Sequence, residues 1–433
     1  MTWARYFDER AETMPAAWTR RLEEELLADQ VSRCYERTPF YRRKLAAGGV
    51  RPEQVERLED LARLPFTTKE ELRESQAAEP PFGDFVCADP VDIVRTHVTS
   101  GTTGIPLLLA YTERDARSSA QIGARAFWAC GARPDDVVLH CLSYSFYTGG
   151  VSDHLAMEAT GATVVPVGLG QSARLLELWS ELRPTAIFST LTYPLYLAEA
   201  AAETGVEPRA LGLRKLLVTG EPGGQMAFTR RRMEELWGAE VGDSYGISDV
   251  WGTLAGECEE RAGLHFCGQG ATLVELVEPE SGDPVAVEPG AEGELVFTHL
   301  DREATPLLRF RSRDVAVVVD VECACGRTGF RFRVVGRSDD MFRVRGVNVF
   351  PSAVEELLRE HGCDRFAIVL ERFPVEPPVA ILAEGVNGKE EELAEAVRAR
   401  LSFTCAIREA ALPRTETKTK RLYRLYAGED APA

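Results

Sequence analysis

The sequence predicts an α/β protein. It has a large N-terminal domain, with doubly wound mixed sheets and a β-rich annex, and a small mobile α+β C-terminal domain. Short apolar strands alternate with helices between about residues 137 and 220, as is typical of a parallel sheet covered on both faces. Beyond residue 264 helical patterns stop and strand patterns continue. A compact unit of helices and strands then follows a boundary rich in glycine and aspartate.

The N-terminal part begins with a helix, because apolar residues recur there at helical spacing: Leu27, Val31, Cys34 and Tyr35. The parallel strands are predicted within "VVLHCLS", "ATVVPVG", "TAIFST" and "LRKLLVTG". Helices such as "SARLLELWSEL" and "PLYLAEAAAETG" separate them. In sheets of this kind, ligand sites lie at the carboxyl ends of the strands.

The β-rich annex is predicted from "ATLVELVEP", "GELVFTHL" and "LLRFRSRDVAVVV". In the C-terminal unit, a capping box from Ser352 to Glu355 predicts the start of a helix that ends at Gly362. Two strands and a second amphipathic helix follow. We therefore predict an N-terminal domain over residues 1–338 and a C-terminal domain over residues 339–433.

Composition narrows the classes of partner. The net charge of −18 argues against non-specific binding to nucleic acid or to acidic membranes, because phosphates would be repelled. The chain has no apolar leader and no run long enough to span a bilayer, so a cytoplasmic protein is expected. Ten cysteines in such a protein indicate reduced thiols or a metal site.

One stretch suits an anion. "VTSGTTGIP" (98–106) follows a predicted strand and offers consecutive backbone N–H groups and hydroxyls. Such a turn can cradle a phosphate, although a plain surface turn has the same composition. The stretch lacks the GxxxxGK[ST] pattern of a Walker A loop.

Four further stretches carry candidate chemistry, each with a structural alternative. In "SYGISDVWG" (244–252), Tyr245 can stack on a flat ring and Asp249 can reach a divalent cation, or the stretch is a solvated turn. In "RFRSRD" (309–314), Asp314 beside arginines can bind ribose hydroxyls, or the strand carries surface ion pairs. "GRSDDMFRVRGVNVFP" (336–351) suits a hinge or a linker. "LPRTETKTKRLYR" (412–424) supplies a catalytic lysine or a solvated basic tail.

The order of these five stretches resembles the phenylacetate–CoA ligase family of the adenylate-forming superfamily. The likeness runs over nearly the whole chain and includes "YERTPFYRRKL", "LPFTTKEELR", "SYSFYTGG", "TGEP" and "CACGRT". The resemblance implies that a carboxylic acid and ATP form an acyl adenylate with release of pyrophosphate. It also implies that the C-terminal domain then rotates and that the acyl group passes to the thiol of CoA.

The resemblance also implies roles for individual residues. ATP phosphates would be held by Ser100, Gly101, Thr102, Thr103 and Gly104, with Thr103 also catalytic. The adenine would be bordered by Glu221, Pro222 and Tyr245, and Gly246 would belong to the same nucleotide site. Asp249 would help to place Mg²⁺, Asp314 would bind the ribose and Arg337 would support the nucleotide. Asp339 would be the hinge and Lys418 the catalytic lysine of adenylation.

The acid site is predicted from the aromatic segment "SYSFYTGG". Tyr144, Phe146, Tyr147 and Gly149 match the segment that lines the acid site in relatives, so an aromatic acid is the expected substrate. The alternative is that these rings belong to the core. Relatives often form dimers, which makes a homodimer an expectation of the resemblance.

A structural zinc site is a separate expectation. Cys258, His265, Cys323 and Cys325 offer three thiolates and one imidazole, a closed tetrahedral set. Some relatives hold zinc with matching residues. The alternative is four reduced, unligated side chains.

Two departures from the family pattern bear on the acceptor. Ile105 stands where relatives carry a lysine, and Thr417 stands where they carry a glycine. A second hypothesis is therefore an adenylating enzyme that delivers the acyl group to an amine, a hydroxyl or a carrier-protein thiol. A third is a nucleotide-binding protein without turnover, against which the retention of Asp249, Asp314 and Lys418 argues.

Overall fold

The computed structural model describes residues 3–99, 106–413 and 419–432. Its helices are α1 (Glu9–Glu12), α2 (Ala16–Arg37), α3 (Pro39–Ala47), α4 (Lys69–Ala78), α5 (Glu113–Ala129), α6 (Thr148–Ala159), α7 (Ser172–Leu182), α8 (Tyr193–Glu203), α9 (Ala227–Trp237), α10 (Pro351–Glu360) and α11 (Glu390–Leu401). Within these ranges no helix is both long enough and apolar enough to cross a membrane.

The strands form four sheets in the described residues. They are β1 (Ile93–Val98), β2 (Leu108–Thr112), β3 (Val137–His140), β4 (Thr163–Pro166), β5 (Ala186–Thr190), β6 (Lys215–Thr219), β7 (Glu240–Gly246), β8 (Thr253–Glu257), β9 (Leu264–Phe266), β10 (Thr272–Val277), β11 (Pro284–Val285), β12 (Glu292–His299), β13 (Phe310–Asp320), β14 (Arg331–Arg337), β15 (Phe342–Val344), β16 (Val347–Val349), β17 (Phe366–Leu370), β18 (Val379–Ala383), β19 (Cys405–Glu409) and β20 (Leu422–Arg424).

The main sheet has 12 strands in the order β11-β10-β12-β13-β14-β9-β8-β7-β6-β5-β3-β4. Strands β4, β3, β5, β6 and β7 pair in parallel. The apolar runs of β3, β5, β6 and β7 are buried because the helices between the strands cover the sheet, as the alternating pattern predicts, whereas the edge strand β4 is only partly buried. The prediction of an α/β fold is confirmed.

The β-rich annex continues the same sheet. Strands β7 to β14 pair antiparallel, so the annex extends the parallel part. Strands β1 and β2 form a separate antiparallel pair on either side of residues 99–107. The continuous sheet matters for the site because it places residues of both parts at one edge.

The C-terminal unit, residues 342–424, has a four-stranded sheet in the order β19-β18-β17-β20 and its own hydrophobic core. The predicted capping box at Ser352 is wrong. Pro351 already occupies the first turn of α10, so Ser352 lies inside the helix and its hydroxyl contacts the carbonyl of Val335. Glu355 instead pairs with arginines. The helix ends as predicted, with Gly362 at a φ of 82°.

The N-terminal helices fasten onto distant parts of the chain. The predicted first helix is α2, and its buried Gln30 donates a hydrogen bond of 2.7 Å to the carbonyl of Arg302. Near the start of the chain, Glu12 forms a buried ion pair of 2.7 Å with Arg327. These contacts join residues separated by 272 and 315 positions in the sequence.

Arg302 is the most buried cation of this core, with 1% of its surface exposed. Its guanidinium lies 3.7 Å from the Asp115 carboxylate and donates hydrogen bonds to the carbonyls of Val250 and Ala110. It also stacks on the ring of Tyr111, 3.7 Å from the centroid. A buried charge requires partners of this kind, because leaving it unpaired costs several kcal/mol.

Replacing Arg302 with alanine is expected to lower the free energy of unfolding by about 3 kcal/mol or more, since the Asp115 carboxylate loses its buried cation. Urea unfolding followed by tryptophan fluorescence measures the change. Arg21→Ala is the matched control, because Arg21 is 82% exposed and pairs with Glu25 at the surface. The control should change stability by less than about 0.5 kcal/mol. Equal losses in both variants would contradict this account.

Candidate active site

Several predicted site residues meet at the carboxyl edge of the parallel strands. Glu221 follows β6, and Tyr245 lies at the end of the neighbouring strand β7. Asp314 and Arg337 come from the annex, where they face each other as register partners on β13 and β14. Because the sheet is continuous, these residues lie close together although they are far apart in sequence.

Asp314 is the acceptor at the centre of this group and is only 8% exposed. Its carboxylate accepts hydrogen bonds of 2.6 Å from the Tyr245 hydroxyl and of 3.0 Å from Arg337. Arg337 also donates two hydrogen bonds, of 2.8 and 2.9 Å, to the Asp339 carboxylate. The structure thus brings together four residues that the sequence placed in three separate stretches.

The charges of this group support one another. Burial opposes the charged form of Arg337, but the carboxylates of Asp339 and Asp314 outweigh burial and raise the pKa of the guanidinium. Burial, and then the charge of Asp314, raise the pKa of the Tyr245 hydroxyl well above its usual range. Tyr245 therefore remains a neutral hydrogen-bond donor, and Asp314 offers a carboxylate beside a permanent cation.

Glu221 links this edge to the C-terminal unit. One carboxylate oxygen accepts hydrogen bonds of 2.9 Å from the backbone and the hydroxyl of Thr192. The other accepts a hydrogen bond of 3.0 Å from the backbone N–H of Thr419, the residue after Lys418. Pro222 follows and is half-buried. Both oxygens of Glu221 are therefore engaged, one of them across the junction between the two parts of the chain.

Asp249 has a partner that the sequence did not predict. The carboxylate is 6% exposed and lies 3.0 Å from the ammonium of Lys69, at the first residue of α4. The same helix carries Gln76, which bonds to Pro106 and Leu108. Lys69 belongs to "TTKEEL", a stretch that resembles the family but for which the sequence predicted no role in the site. A separation of 180 residues hides the pair from any local pattern.

Gly246 is required by a close approach of two backbone segments. A Cβ atom at this position would lie 2.6 Å from the carbonyl oxygen of Gly252. The chain between these residues doubles back, and Asp249 lies in that turn. Glycine at 246 therefore serves the backbone that presents Asp249.

The aromatic segment is only partly buried. The Tyr144 hydroxyl lies 2.7 Å from His154 Nδ1, and the Tyr144 ring packs beside His140. Phe146 and Tyr147 are 74% and 42% exposed, so their rings are not part of the core. Gly149 lies in the first turn of α6. The alternative that all three rings are core residues does not match this placement.

The predicted zinc residues lie together. One potential ligand atom from each of Cys258, His265, Cys323 and Cys325 is within 4.8 Å of all the others. Cys258 directly follows β8 and His265 lies in β9, while the other two lie in the connection between β13 and β14. His265 Nδ1 donates a hydrogen bond of 2.8 Å to the carbonyl of Gly329, which leaves Nε2 as the acceptor, 3.3 Å from the Cys325 sulfur.

Part of the predicted site lies outside the described residues, namely Ser100, Gly101, Thr102, Thr103, Gly104 and Lys418, together with the departures Ile105 and Thr417. The flanks of the first stretch are described. Thr99 donates a backbone hydrogen bond of 3.0 Å to the carbonyl of Leu107, which closes the base of that stretch.

Comparison with known proteins adds a family to this geometry. The family model of the AMP-binding enzymes matches residues 22–299. A phenylacetate-coenzyme A ligase from Thermus thermophilus is 40% identical over 350 residues, which cover 80% of this chain and 76% of that protein. The chain is also similar to a 2-hydroxyisobutyryl-CoA ligase, 32% identical, solved in the postadenylation state with 2-HIB-AMP. The TM-score is 0.91, and 98% of this chain and 93% of that chain are covered.

The same ligase has also been solved in the thioesterification state, with 2-HIB-AMP and CoA. Its TM-score to this chain is 0.75 at 33% identity, and the match covers 97% of this chain and 92% of the ligase.

The family model spans more than half of the chain, and the relative from Thermus thermophilus is matched over three quarters of its length. The chain belongs to the phenylacetate–CoA ligase family of AMP-binding enzymes, which are AMP-forming acid–thiol ligases that make an acyl adenylate with ATP and then a CoA thioester.

Proposed function

We propose that this chain is an aryl-CoA ligase. It activates an aromatic carboxylic acid with ATP, releases pyrophosphate and transfers the acyl group from AMP to CoA. The observation that carries the proposal is the 40% identity to a protein named phenylacetate-coenzyme A ligase over 80% of this chain. The cluster of Asp314, Arg337 and Tyr245 at the carboxyl edge of the sheet supports it, since nucleotides bind at such edges.

The nucleotide would lie against this cluster. Asp314 would accept hydrogen bonds from the two ribose hydroxyls, with its carboxylate oriented by the guanidinium of Arg337, 3.0 Å away. Tyr245, Glu221 and Pro222 would border the adenine, with Gly246 shaping the turn beside it. In the described arrangement Asp314 already accepts hydrogen bonds from Tyr245 and Arg337, which fix its orientation before a ligand arrives.

The phosphates would lie on the stretch from Ser100 to Gly104. Asp249 would hold Mg²⁺, which neutralises phosphate charge when bound. Lys69 pairs with Asp249 and belongs to the helix that is bonded to Pro106, at the end of the phosphate stretch. This pairing would bring the ammonium of Lys69 close to the phosphates.

The catalytic lysine would come from a C-terminal domain that begins at residue 339. The described arrangement resembles the postadenylation state of the 2-hydroxyisobutyryl-CoA ligase more closely than its thioesterification state, with TM-scores of 0.91 and 0.75. Lys418 would stabilise charge that develops on the α-phosphate. Asp339 would act as the hinge, so the bonds from Arg337 to Asp339 and from Thr419 to Glu221 would belong to the adenylation arrangement.

The acid would lie beside the aromatic segment. Tyr144 offers a half-buried ring, whereas the exposed Phe146 and Tyr147 would become covered when substrate or the C-terminal domain packs on them. Gly149 lies in the helix that follows. An aromatic acid is favoured because the relative at 40% identity is named for phenylacetate, and the 2-hydroxyisobutyryl enzyme is 32% identical.

We also propose that the enzyme works in the cytoplasm as a homodimer. The ten cysteines, all within the described residues, form no disulfide, which suits a reducing compartment. The homodimer rests on the resemblance to the family alone.

Incubation with ATP, Mg²⁺ and CoA should convert phenylacetate to its thioester with one AMP per thioester. The value of kcat/KM should be at least about tenfold higher for phenylacetate than for 2-hydroxyisobutyrate, because the aliphatic acid leaves an aromatic site unfilled. Acid-dependent pyrophosphate exchange measures the first step alone. AMP formation that requires an amine, a hydroxyl or a carrier protein in place of CoA would identify the alternative acceptor. Nucleotide binding with no exchange for any acid would indicate a protein without turnover.

Lys418→Ala should lower pyrophosphate exchange by about 100-fold or more while changing thioester formation from supplied acyl adenylate by only a few-fold. The reason is that the ammonium stabilises charge in the first step only. Lys420→Ala is the matched control, since Lys420 is 45% exposed and pairs with Glu429. Equal losses in both half-reactions would refute the assignment of Lys418 to adenylation.

A structural zinc ion fits the cluster of Cys258, His265, Cys323 and Cys325. Ligand sulfurs around a tetrahedral zinc lie about 3.8 Å apart, and the sulfurs of Cys258 and Cys323 are 3.8 Å apart. The bond from His265 to Gly329 also leaves the correct nitrogen facing the sulfurs. The four residues would hold the ion between two connections of the sheet, with no ligand position left for catalysis.

Metal analysis of the purified protein should therefore find about one zinc per chain. Cys325→Ser should lose the metal and lower the thermal midpoint, because the connection between β13 and β14 is no longer fastened. The control is Cys405→Ser, a buried cysteine of the C-terminal sheet outside the cluster, which should keep the metal. Full zinc content in the Cys325 variant would contradict the assigned ligand set.

A further inference from the structure

Asp153 carries a buried carboxyl group that the proposed function does not use. It lies in α6, the helix that follows the aromatic segment, and only 4% of its surface is exposed. Its Oδ1 atom accepts a hydrogen bond of 2.8 Å from the backbone N–H of Thr253. Among the described residues no cation offsets its charge. A buried carboxyl group with a single hydrogen bond is costly, so its presence at this position requires an explanation.

The second oxygen of this carboxyl group is available to a ligand. Oδ2 of Asp153 has no hydrogen-bond donor among the described residues. It is not one of the fully enclosed polar atoms that lack a partner, so it keeps some accessible surface. A Cβ atom on Gly149 would lie 3.5 Å from Oδ2, at ordinary contact distance. Because Gly149 belongs to the predicted acid site, the unbonded oxygen lies beside that site.

The surroundings of Asp153 bring three parts of the proposed active site together. A Cβ atom on Gly252, at the end of the turn that carries Asp249, would lie 2.4 Å from Oδ1 of Asp153, so the turn and the helix are in direct contact. The aromatic segment is bonded to the base of the phosphate stretch, because the backbone N–H of Val98 donates a hydrogen bond of 2.9 Å to the carbonyl of Phe146. Oδ2 is therefore close to the place where an acid must meet the nucleotide.

The electrostatics of the site favour a ligand that donates a hydrogen bond. Burial raises the pKa of Asp153 to about 7, and the hydrogen bonding from the neighbouring strand offsets only part of this effect. A donor that reaches Oδ2 favours the ionised carboxylate. The hydroxyls of Tyr144 and Ser152, on the same segment and helix, are already bonded to His154 and His97. A donor on the substrate would therefore complete the hydrogen bonding of this carboxylate.

A purely structural role does not account for the carboxyl group. Holding the backbone at Thr253 requires only Oδ1 of Asp153. The amide oxygen of an asparagine would accept that hydrogen bond equally well, without the cost of burying an ionisable group. The ionisable side chain is explained when the second oxygen binds a ligand.

We propose that Asp153 determines specificity and that the enzyme activates an aromatic acid with an amino or hydroxyl group on its ring. The ring lies beside the aromatic segment, and its N–H or O–H group donates a hydrogen bond to Oδ2 of Asp153. Phenylacetate is accepted, but it leaves Oδ2 without a donor. This inference rests on the proposed function, because it specifies which acid the same site prefers.

Acid-dependent pyrophosphate exchange with matched sets of phenylacetates and benzoates tests the inference. Each set contains the unsubstituted parent, its amino and hydroxyl derivatives at every ring position, and the corresponding dimethylamino and methoxy compounds, which lack the donor. At least one amino or hydroxyl isomer should have a kcat/KM about tenfold or more above both its parent and its methylated analogue. The preference should depend on ring position, because Oδ2 occupies a fixed place beside the ring.

Asp153→Asn keeps the size of the side chain and an oxygen for the N–H of Thr253, but it presents an amide N–H to the substrate. The ratio of kcat/KM for the preferred acid to that for its parent should fall to about 1. Gly149→Ala adds a methyl group beside Oδ2 and should lower the same ratio without altering the carboxyl group. Asp243→Asn is the matched control, because Asp243 is similarly buried but its Oδ2 already accepts a hydrogen bond of 3.0 Å from Gln225. The control should keep the ratio.

Three results would overturn the inference: exchange with the parent acids but no preferred amino or hydroxyl isomer, a preference that both Asp153→Asn and Gly149→Ala leave unchanged, or an equal loss of preference in Asp243→Asn. Circular dichroism verifies that each variant is folded, and Gly149→Ala decides alone if Asp153→Asn is not. Failure of every aromatic acid to support exchange would instead refute the proposed function on which the inference rests.

Discussion

The ion-pair group centred on Arg337 is the interaction on which the rest of the architecture depends. Its guanidinium bonds to Asp314 on the adjacent strand and to Asp339 in the turn that leads to the C-terminal unit. Tyr245, on the parallel strand β7, joins this group because its hydroxyl donates a hydrogen bond to Asp314. Arg424, at the end of β20, donates a hydrogen bond of 2.6 Å to the carbonyl of Asp339. The guanidinium of Arg337 thus connects the parallel and antiparallel parts of the sheet with the turn at Asp339, where the C-terminal unit begins.

The two parts of the chain are otherwise built separately. The C-terminal unit has its own core, which includes Phe366, Val354 and Leu393, while the sheet has three further apolar clusters. Much of the contact between the parts is polar, as in the pairs of Arg232 with Asp364 and of Arg365 with Glu199. Polar interfaces between compact units are typical of parts that change position, because little apolar surface is exposed when they separate.

Local patterns in the sequence were sufficient for much of the fold. Apolar runs of four to five residues marked the parallel strands, because those strands are buried on both faces. The capping box at Ser352 misled, since Pro351 had already begun the helix and the hydroxyl found a tertiary partner at Val335. The exposure of Phe146 could not be predicted either, because the residue type alone does not tell whether an aromatic ring is buried in a core or lies at a surface.

Parts of the site depend on the tertiary fold and leave no local trace. The neighbourhood of Asp314, Arg337 and Tyr245 was reached through likeness to a family, whereas the pairing of Lys69 with Asp249 joins positions 180 residues apart. Arg359 resembles any helical arginine until it and Arg421 are seen to donate to the same oxygen of Glu355. Charge balance inside a protein is a property of the folded arrangement, so a sequence alone does not reveal it.

The buried pair of Glu12 and Arg327 has a consequence for biosynthesis. At 5–20 residues per second, a ribosome needs roughly 15–60 s to add the 315 residues that separate the two partners. Throughout that interval the leading helices have emerged without the partners that neutralise and cover them. The first segment therefore gains this partner only after most of the large sheet has been translated, whereas the residues of the C-terminal core are made within roughly 4–16 s of one another.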